Sequence, residues 1–325
     1  GRVLTVQGTL RNLVHPERVA YRHVRMALST SEASLESGTD VWRIPVDFVR
    51  GTILRGAQVL PEEQRPIYTG FVIGDDRGSR EDVVQAFKDS GLSHLLVVSG
   101  QNVVFLLAIA TPLAARLGPR SKVVALLSVL FLFAAVTRFE PSVLRATAMA
   151  MLAVAGTASG RPLTTCRRIA VAIALLIVVD PLLVESLGFR LSVAATGGIA
   201  LFASGIARRL RGPEWFKRVL SITIASQVGV APIIIPVVGP MPLASLPANV
   251  LAEPIAGFVM MWGSTAGVVA GLIGGWPAAI LQAPVRLGVW WIMSVADVCS
   301  DLSLPRVSLS VIIVITLSAL ALFRA

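Results

Sequence analysis

The sequence predicts a mainly α-helical polytopic membrane protein of about eight transmembrane helices plus one interfacial amphipathic segment, with a small N-terminal β-rich, extracytoplasmic domain. Three observations predict it. Apolar residues make up 54% of the 325-residue chain and charged residues 15%, with a mean hydropathy of +0.75, outside the balance of ordinary globular domains. From residue 91 onward, apolar runs long enough to cross about 30 Å of hydrocarbon follow one another. Short basic or Pro/Gly breaks separate them. Before that point the chain is soluble in character, and its charge balances: residues 1–90 hold 12 Lys+Arg and 12 Asp+Glu, against 17 and 7 in residues 91–325.

In order along the chain, residues 2–50 alternate in strand fashion. RVLTVQGTLRNLV, AYRHVRMALST and VWRIPVDFVRG are rich in β-formers, with breaks at His15-Pro16-Glu17 and SLESGTD. They read as three or four strands of a small sheet or partial OB-like barrel within residues 1–60. Such barrels bind single strands through basic and aromatic side chains. Arg11, Arg18, Arg22 and Arg25 lie near Tyr21, Trp42 and Phe48, but a solvated sheet with core aromatics reads equally well. Residues 61–91 are a connector and a short helix, REDVVQAFKDS, with Ser79 placed to cap it and an acidic first turn. The chain opens at Gly1 with no signal peptide ahead of it and reads as a fragment or a processed piece.

The transmembrane region is residues 92–325. Spans are expected near 94–115, 122–138, 141–159, 168–187, 190–207, 218–238, 246–272 and 307–323. Residues 276–305, with Trp276, Trp290 and Trp291, could span, re-enter or lie in the interface, and the aromatic-belt argument favours the interface. Basic residues crowd alternate loops: Arg116, Arg120 and Lys122; Arg161, Arg167 and Arg168; Arg208, Arg209, Arg211, Lys217 and Arg218. The positive-inside rule makes those loops cytoplasmic and puts the N-terminal domain outside.

Polar residues inside apolar runs are the candidate functional residues, because they are costly there and usually face protein or a water-filled path. His94, Ser99, Gln101 and Asn102 cluster in the first span. Ser99 and His94 are five residues apart, about 140° around a helix, and the other histidines, His15 and His23, lie in the soluble part. A serine hydrolase is therefore not supported. His94 and Gln101, seven apart, share a helical face, as a polar lining or as interhelical hydrogen bonds would require. Arg145 lies a turn inside the third span and needs a partner, either Glu140 or a phosphate. Gly188, Gly197 and Gly198 permit close helix contact, and Arg190 heads the fifth span. Gln227 sits mid-span. In the proline-broken stretch PLASLPANVLAEPIAGF, Asn249 and Glu253 are four apart on one face. No His/Asp/Glu spacing suits a metal, the two cysteines, Cys166 and Cys299, suggest no disulfide framework, and no cofactor is expected.

With those residues in place, the chain resembles the ComEC family of bacterial natural competence over roughly residues 67–275. The motifs are GLSHLLVVSGQNV (91–103), EPSVLRATAMA (140–150), DPLLVESLGFRLSVAATGGI (180–199) and PLASLPANVLAEP (242–254). Family members commonly carry Leu-His where this chain has Gln101-Asn102. The resemblance implies a channel that passes single-stranded DNA across the inner (plasma) membrane during transformation. It would work among membrane lipid with a DNA receptor, a cytoplasmic translocase and single-strand-binding proteins, as one chain or as a homodimer. His94, Ser99, Gln101, Asn102, Arg145, Arg190, Gln227, Asn249 and Glu253 would line the DNA path. Many members add a nuclease-like C-terminal domain; the chain ends at Ala325 without it, so no enzymatic activity is expected of these residues. The alternative is a polytopic transporter of a small or lipid-linked substrate.

Overall fold

The structure, a computed structural model, describes residues 2–12, 26–37, 43–161, 163–239, 241–302 and 306–307. The chain divides into two compact units. One takes the described residues up to Thr52 with Leu107–Arg190, the other Ile53–Leu106 with the described residues from Leu191 on.

In the first unit, β1 (Arg2–Asn12) and β2 (Met26–Ser37) pair antiparallel, Arg2 opposite Ser37 and Asn12 opposite Met26. A register shift falls at Gln7/Gly8, as at a bulge. Among the described residues these two strands pair only with each other; residues 13–25 and 38–42, on which part of the expected sheet falls, lie outside the described residues. The expected third strand, around VWRIPVDFVRG, is instead helical: α1 runs Ile44–Ala57. Its buried positions, Val46, Arg50, Ile53 and Ala57, recur every three or four residues, the helical period hidden beneath a β-rich composition. Arg50 donates from Nη1 to the Val136 carbonyl at 2.5 Å, a cation at the C-terminus of α5 (Pro119–Val136). There follow α6 (Pro141–Ala158) and α7 (Thr165–Val179), packed in sequence. The turn into α6 places both Arg138 and Phe139 at positive φ, 57° and 55°, a conformation that non-glycine residues rarely adopt. The span expected to reach residue 187 stops at Val179. There Asp180 accepts from the Leu182 N–H at 3.0 Å and starts a 3-10 turn, Pro181–Glu185.

In the second unit, α2 (Arg65–Ile73) and α3 (Glu81–Asp89) pack with the hairpin of α10 (Ser245–Ile273) and α11 (Gly275–Ser300). Residues 61–91, read as a connector with one short helix, thus hold α2 as well as α3. The two long helices lie antiparallel, with Trp262 donating to the Leu281 carbonyl and Trp291 to the Leu251 carbonyl, both at 3.0 Å. At the centre, Tyr68 donates to the Gly263 carbonyl at 2.8 Å, and Gln282 to the Gly56 carbonyl at 3.3 Å. Burial pushes the Tyr68 phenol up to about 12. Glycine is needed here because a Cβ on Gly56 would strike the Gly267 carbonyl, and one on Gly267 the Tyr68 hydroxyl.

The remaining elements are α4 (Gly100–Ala114), α8 (Leu187–Arg209) and α9 (Glu214–Val238), with β3 (Met241–Pro242) paired to β4 (Arg306–Val307). Gly198 of α8 and Gly229 of α9 meet back to back: a Cβ on either would enter the other helix's backbone, while Gly197 has open space around it. The two expected breaks at Pro247 and Pro254 do not occur, since α10 is one 29-residue helix. Pro247 falls in its first turn, where no intrahelical N–H bond is lost. Residues 276–300, for which the interface was favoured, belong to one 26-residue helix long and apolar enough to span.

Among the described residues six helices meet that test, α5, α6, α8, α9, α10 and α11, and α4 is shorter at 15 residues. The expected count was about eight. α4 and α7 are each 15 residues long, about 22 Å, and the expected span at 307–323 lies almost wholly outside the described residues. The chain is a multi-pass membrane protein.

Candidate functional site

The stretch from Gly91 to Phe105 is not one helix. A 3-10 turn covers Ser93–Leu96, Val97 is extended, and α4 begins at Gly100. Ser99 sets that start: its Oγ accepts from the Gln101 N–H at 3.3 Å, the position of an N-cap side chain. His94 and Gln101 therefore do not share a helical face, as a continuous span would have required. Non-helical backbone in an apolar region is tolerated where protein buries it or where it lines a cavity.

What faces the broken stretch is the first half of α10. Ser245, Asn249, Glu253 and Gly257 are spaced by four and form one stripe. Gly91, with φ +76°, lies against Ser245, so close that a Cβ would collide with the serine side chain. His94 Nε2 is 3.5 Å from Glu253 Oε1. Gln101 and Phe105 lie over Gly257, where a Cβ would sit 3.4 Å from Gln101 Nε2 and 3.1 Å from the Phe105 ring. The stripe and the broken stretch run in the same direction.

From α9, Gln227 Nε2 donates to Ser245 Oγ at 3.0 Å, and Asn249 Nδ2 donates back to the Ser245 carbonyl at 2.6 Å. Ser245 and Asn249 are buried, Gln227 is half-buried, and the His94 and Glu253 side chains are 48% and 32% exposed. The seam thus passes from a dry end at Ser245 to a wet end at the His94–Glu253 pair.

Asn102 sits on the protein side. It is 3% exposed, and its Nδ2 donates to the Phe71 carbonyl at 2.7 Å near the end of α2. It ties α4 to α2, and its Oδ1 has no hydrogen-bond partner. Arg145 and Arg190 belong to the first unit. Arg145 is buried in α6, with Nη1 3.4 Å from Met149 Sδ one turn on. Arg190 is exposed near the start of α8.

Of the nine sequence candidates, the second unit sets His94, Gln101, Gln227, Asn249 and Glu253 along the α10 stripe that begins at Ser245. Ser99 serves as a helix cap and Asn102 as a tie between helices. Sequence reasoning missed Ser245, although it stands four before Asn249 and eight before Glu253. It also missed Gln282, a lone amide in the apolar run WPAAILQAP, which the cost of polar groups in hydrocarbon would have marked. Neither serine of the seam has a base beside it: Ser99 Oγ accepts from a backbone N–H, and Ser245 Oγ accepts from Gln227. No group of three or more His, Cys, Asp or Glu lies together among the described residues. The arrangement is suited to hydrogen bonding and charge.

A family model described as competence protein matches residues 71–325. ComE operon protein 3 of Bacillus subtilis (strain 168) is 27% identical over 213 residues, 65% of this chain. The aligned stretch spans 27% of that relative's length. No solved structure matches the chain.

Proposed function

The chain belongs to the competence protein family, and from that premise we propose that it is the membrane domain of a DNA-uptake channel, passing single-stranded DNA across the inner membrane during transformation. The observation that carries the reading is the seam on α10. Its amides and the half-exposed His94–Glu253 pair offer a run of fixed polar groups along one helix. A strand crossing hydrocarbon needs such groups along its way, with phosphates held by charge and bases left unread. Gln101, Gln227 and Asn249 supply amide N–H groups. His94 stands 3.5 Å from the carboxylate of the seam, Glu253. No covalent step is assigned to these residues. Basic loops around Arg116, Arg161 and Arg208 face the cytoplasm, the N-terminal strands face outside, and cytoplasmic partners that pull or coat the strand supply the driving force.

A photo-reactive residue placed at Glu253 in the full-length protein tests this. During uptake it should cross-link to the incoming strand, and one placed at exposed Leu287 of α11 should not. Equal labelling at both positions would refute the assignment.

The hydrogen-bonded group of Gln227, Ser245 and Asn249 also favours a second reading, a compact site for a small or lipid-linked substrate. That reading predicts that cross-linking is blocked by a saturating small molecule and is indifferent to DNA.

A further inference from the structure

We propose that the second unit carries a binding site for an anionic phospholipid, made of a groove between α9 and α10 and the basic segment that leads into α9. The groove holds about 340 Å³ and is lined by Phe216, Leu220, Leu246, Pro247, Val250 and Leu251. All six are apolar, and the volume falls in the range of small-molecule sites, about 300–1,000 Å³.

Charge stands immediately beside it. Residues 208–218, RRLRGPEWFKR, hold five cations against the single carboxylate of Glu214. Lys217 is engaged with that carboxylate at 2.5 Å, and Arg209 donates to the Gly205 carbonyl at 3.4 Å. Arg208, Arg211 and Arg218 are exposed. On the first turns of α9, Phe216 and Leu220 share the groove face, and Arg218, two residues from each, falls on the opposite side of the helix. The exposed cation nearest the groove is Arg211, because a Cβ on its neighbour Gly212 would lie 3.5 Å from the Phe216 ring. Trp215 is 64% exposed, with its ring edge-on to Phe216 at 5.8 Å. An exposed tryptophan next to an apolar groove is the signature of the headgroup level.

The two halves of the site ask for different chemistry, and one ligand class satisfies both. A nucleic acid or a free phosphate would answer the guanidinium groups and leave the groove unfilled. A zwitterionic lipid would fill the groove without supplying net negative charge. An anionic phospholipid seats an acyl chain against Leu220 and Val250 while its phosphate meets Arg211. The proposal concerns the lipid-facing side of α9 and does not depend on what the seam at Ser245 conducts.

The test is native mass spectrometry of the full-length protein in detergent, titrated with phosphatidylglycerol or phosphatidylcholine. Wild type should retain phosphatidylglycerol at least tenfold more strongly. Leu220→Trp fills the groove and should abolish that retention. Arg211→Gln, at an exposed position, should weaken it about fivefold, and Arg218→Gln, on the far side of α9, should weaken it less. Equal retention of the two lipids, or retention unchanged in both Leu220→Trp and Arg211→Gln, would overturn the proposal. So would binding of a single-stranded oligonucleotide or inorganic phosphate that is lost in Arg211→Gln while phosphatidylglycerol shows no preference.

Discussion

Ser245 is the residue on which the polar seam turns. Its hydroxyl accepts from Gln227 on α9, its carbonyl accepts from Asn249 one turn on, and its side chain fills the space that Gly91 leaves. Asn102 sits only a few residues from Ser99 and Gln101 in sequence but is a buried tie to the Phe71 carbonyl. The two kinds of residue respond differently to substitution. Asn102→Leu strands the Phe71 carbonyl but also removes an orphaned Oδ1. It should therefore cost about 1 kcal/mol in denaturant unfolding in detergent and leave transport per folded molecule close to wild type. A transport loss beyond the loss of folded protein would put Asn102 on the path. Which polar residues occur was legible in the sequence; which way each points was not. A helical projection treats His94 to Gln101 as one face, and the break before Gly100 voids that geometry.

At the level of elements, the long apolar helices were legible because hydrocarbon admits few alternatives to a continuous helix. The errors came at their ends and outside the membrane. α1 carries Ile, Val, Phe and Thr, which composition assigns to strands, and its helical stripe includes a buried arginine, Arg50. Pro247 and Pro254 suggested breaks inside a helix that runs through both. Glycines were read as contact points in general, and the structure separates them. Gly198 touches the α9 backbone and Gly197 touches nothing. Gly198→Ala should therefore destabilise the protein by about 1–3 kcal/mol, the usual cost of overpacking. The neighbouring Gly197→Ala should be neutral or slightly stabilising, since alanine is the better helix former. Unfolding midpoints of the two variants in the same detergent check the pair. Equal effects would mean that α8 and α9 do not cross there.

At the level of the whole molecule, the charge asymmetry is the property from which the proposed orientation is read. Residues 91–325 carry the entire excess of +10, and the cations gather in alternate loops. Single cysteines at Arg120 and at Arg211, in a background without Cys166 and Cys299, should resist an impermeant thiol reagent in intact spheroplasts and react once the membrane is opened. Reaction of either in intact cells would reverse the proposed orientation. The most direct measurement of the channel reading is uptake of labelled DNA into cells lacking the endogenous gene and carrying the full-length protein, wild type or with Asn249→Leu and Glu253→Gln together. At matched amounts of membrane-inserted protein, the double variant should bring at least tenfold less DNA into a nuclease-protected cytoplasmic pool. Uptake equal to wild type would remove the α10 seam from the DNA path.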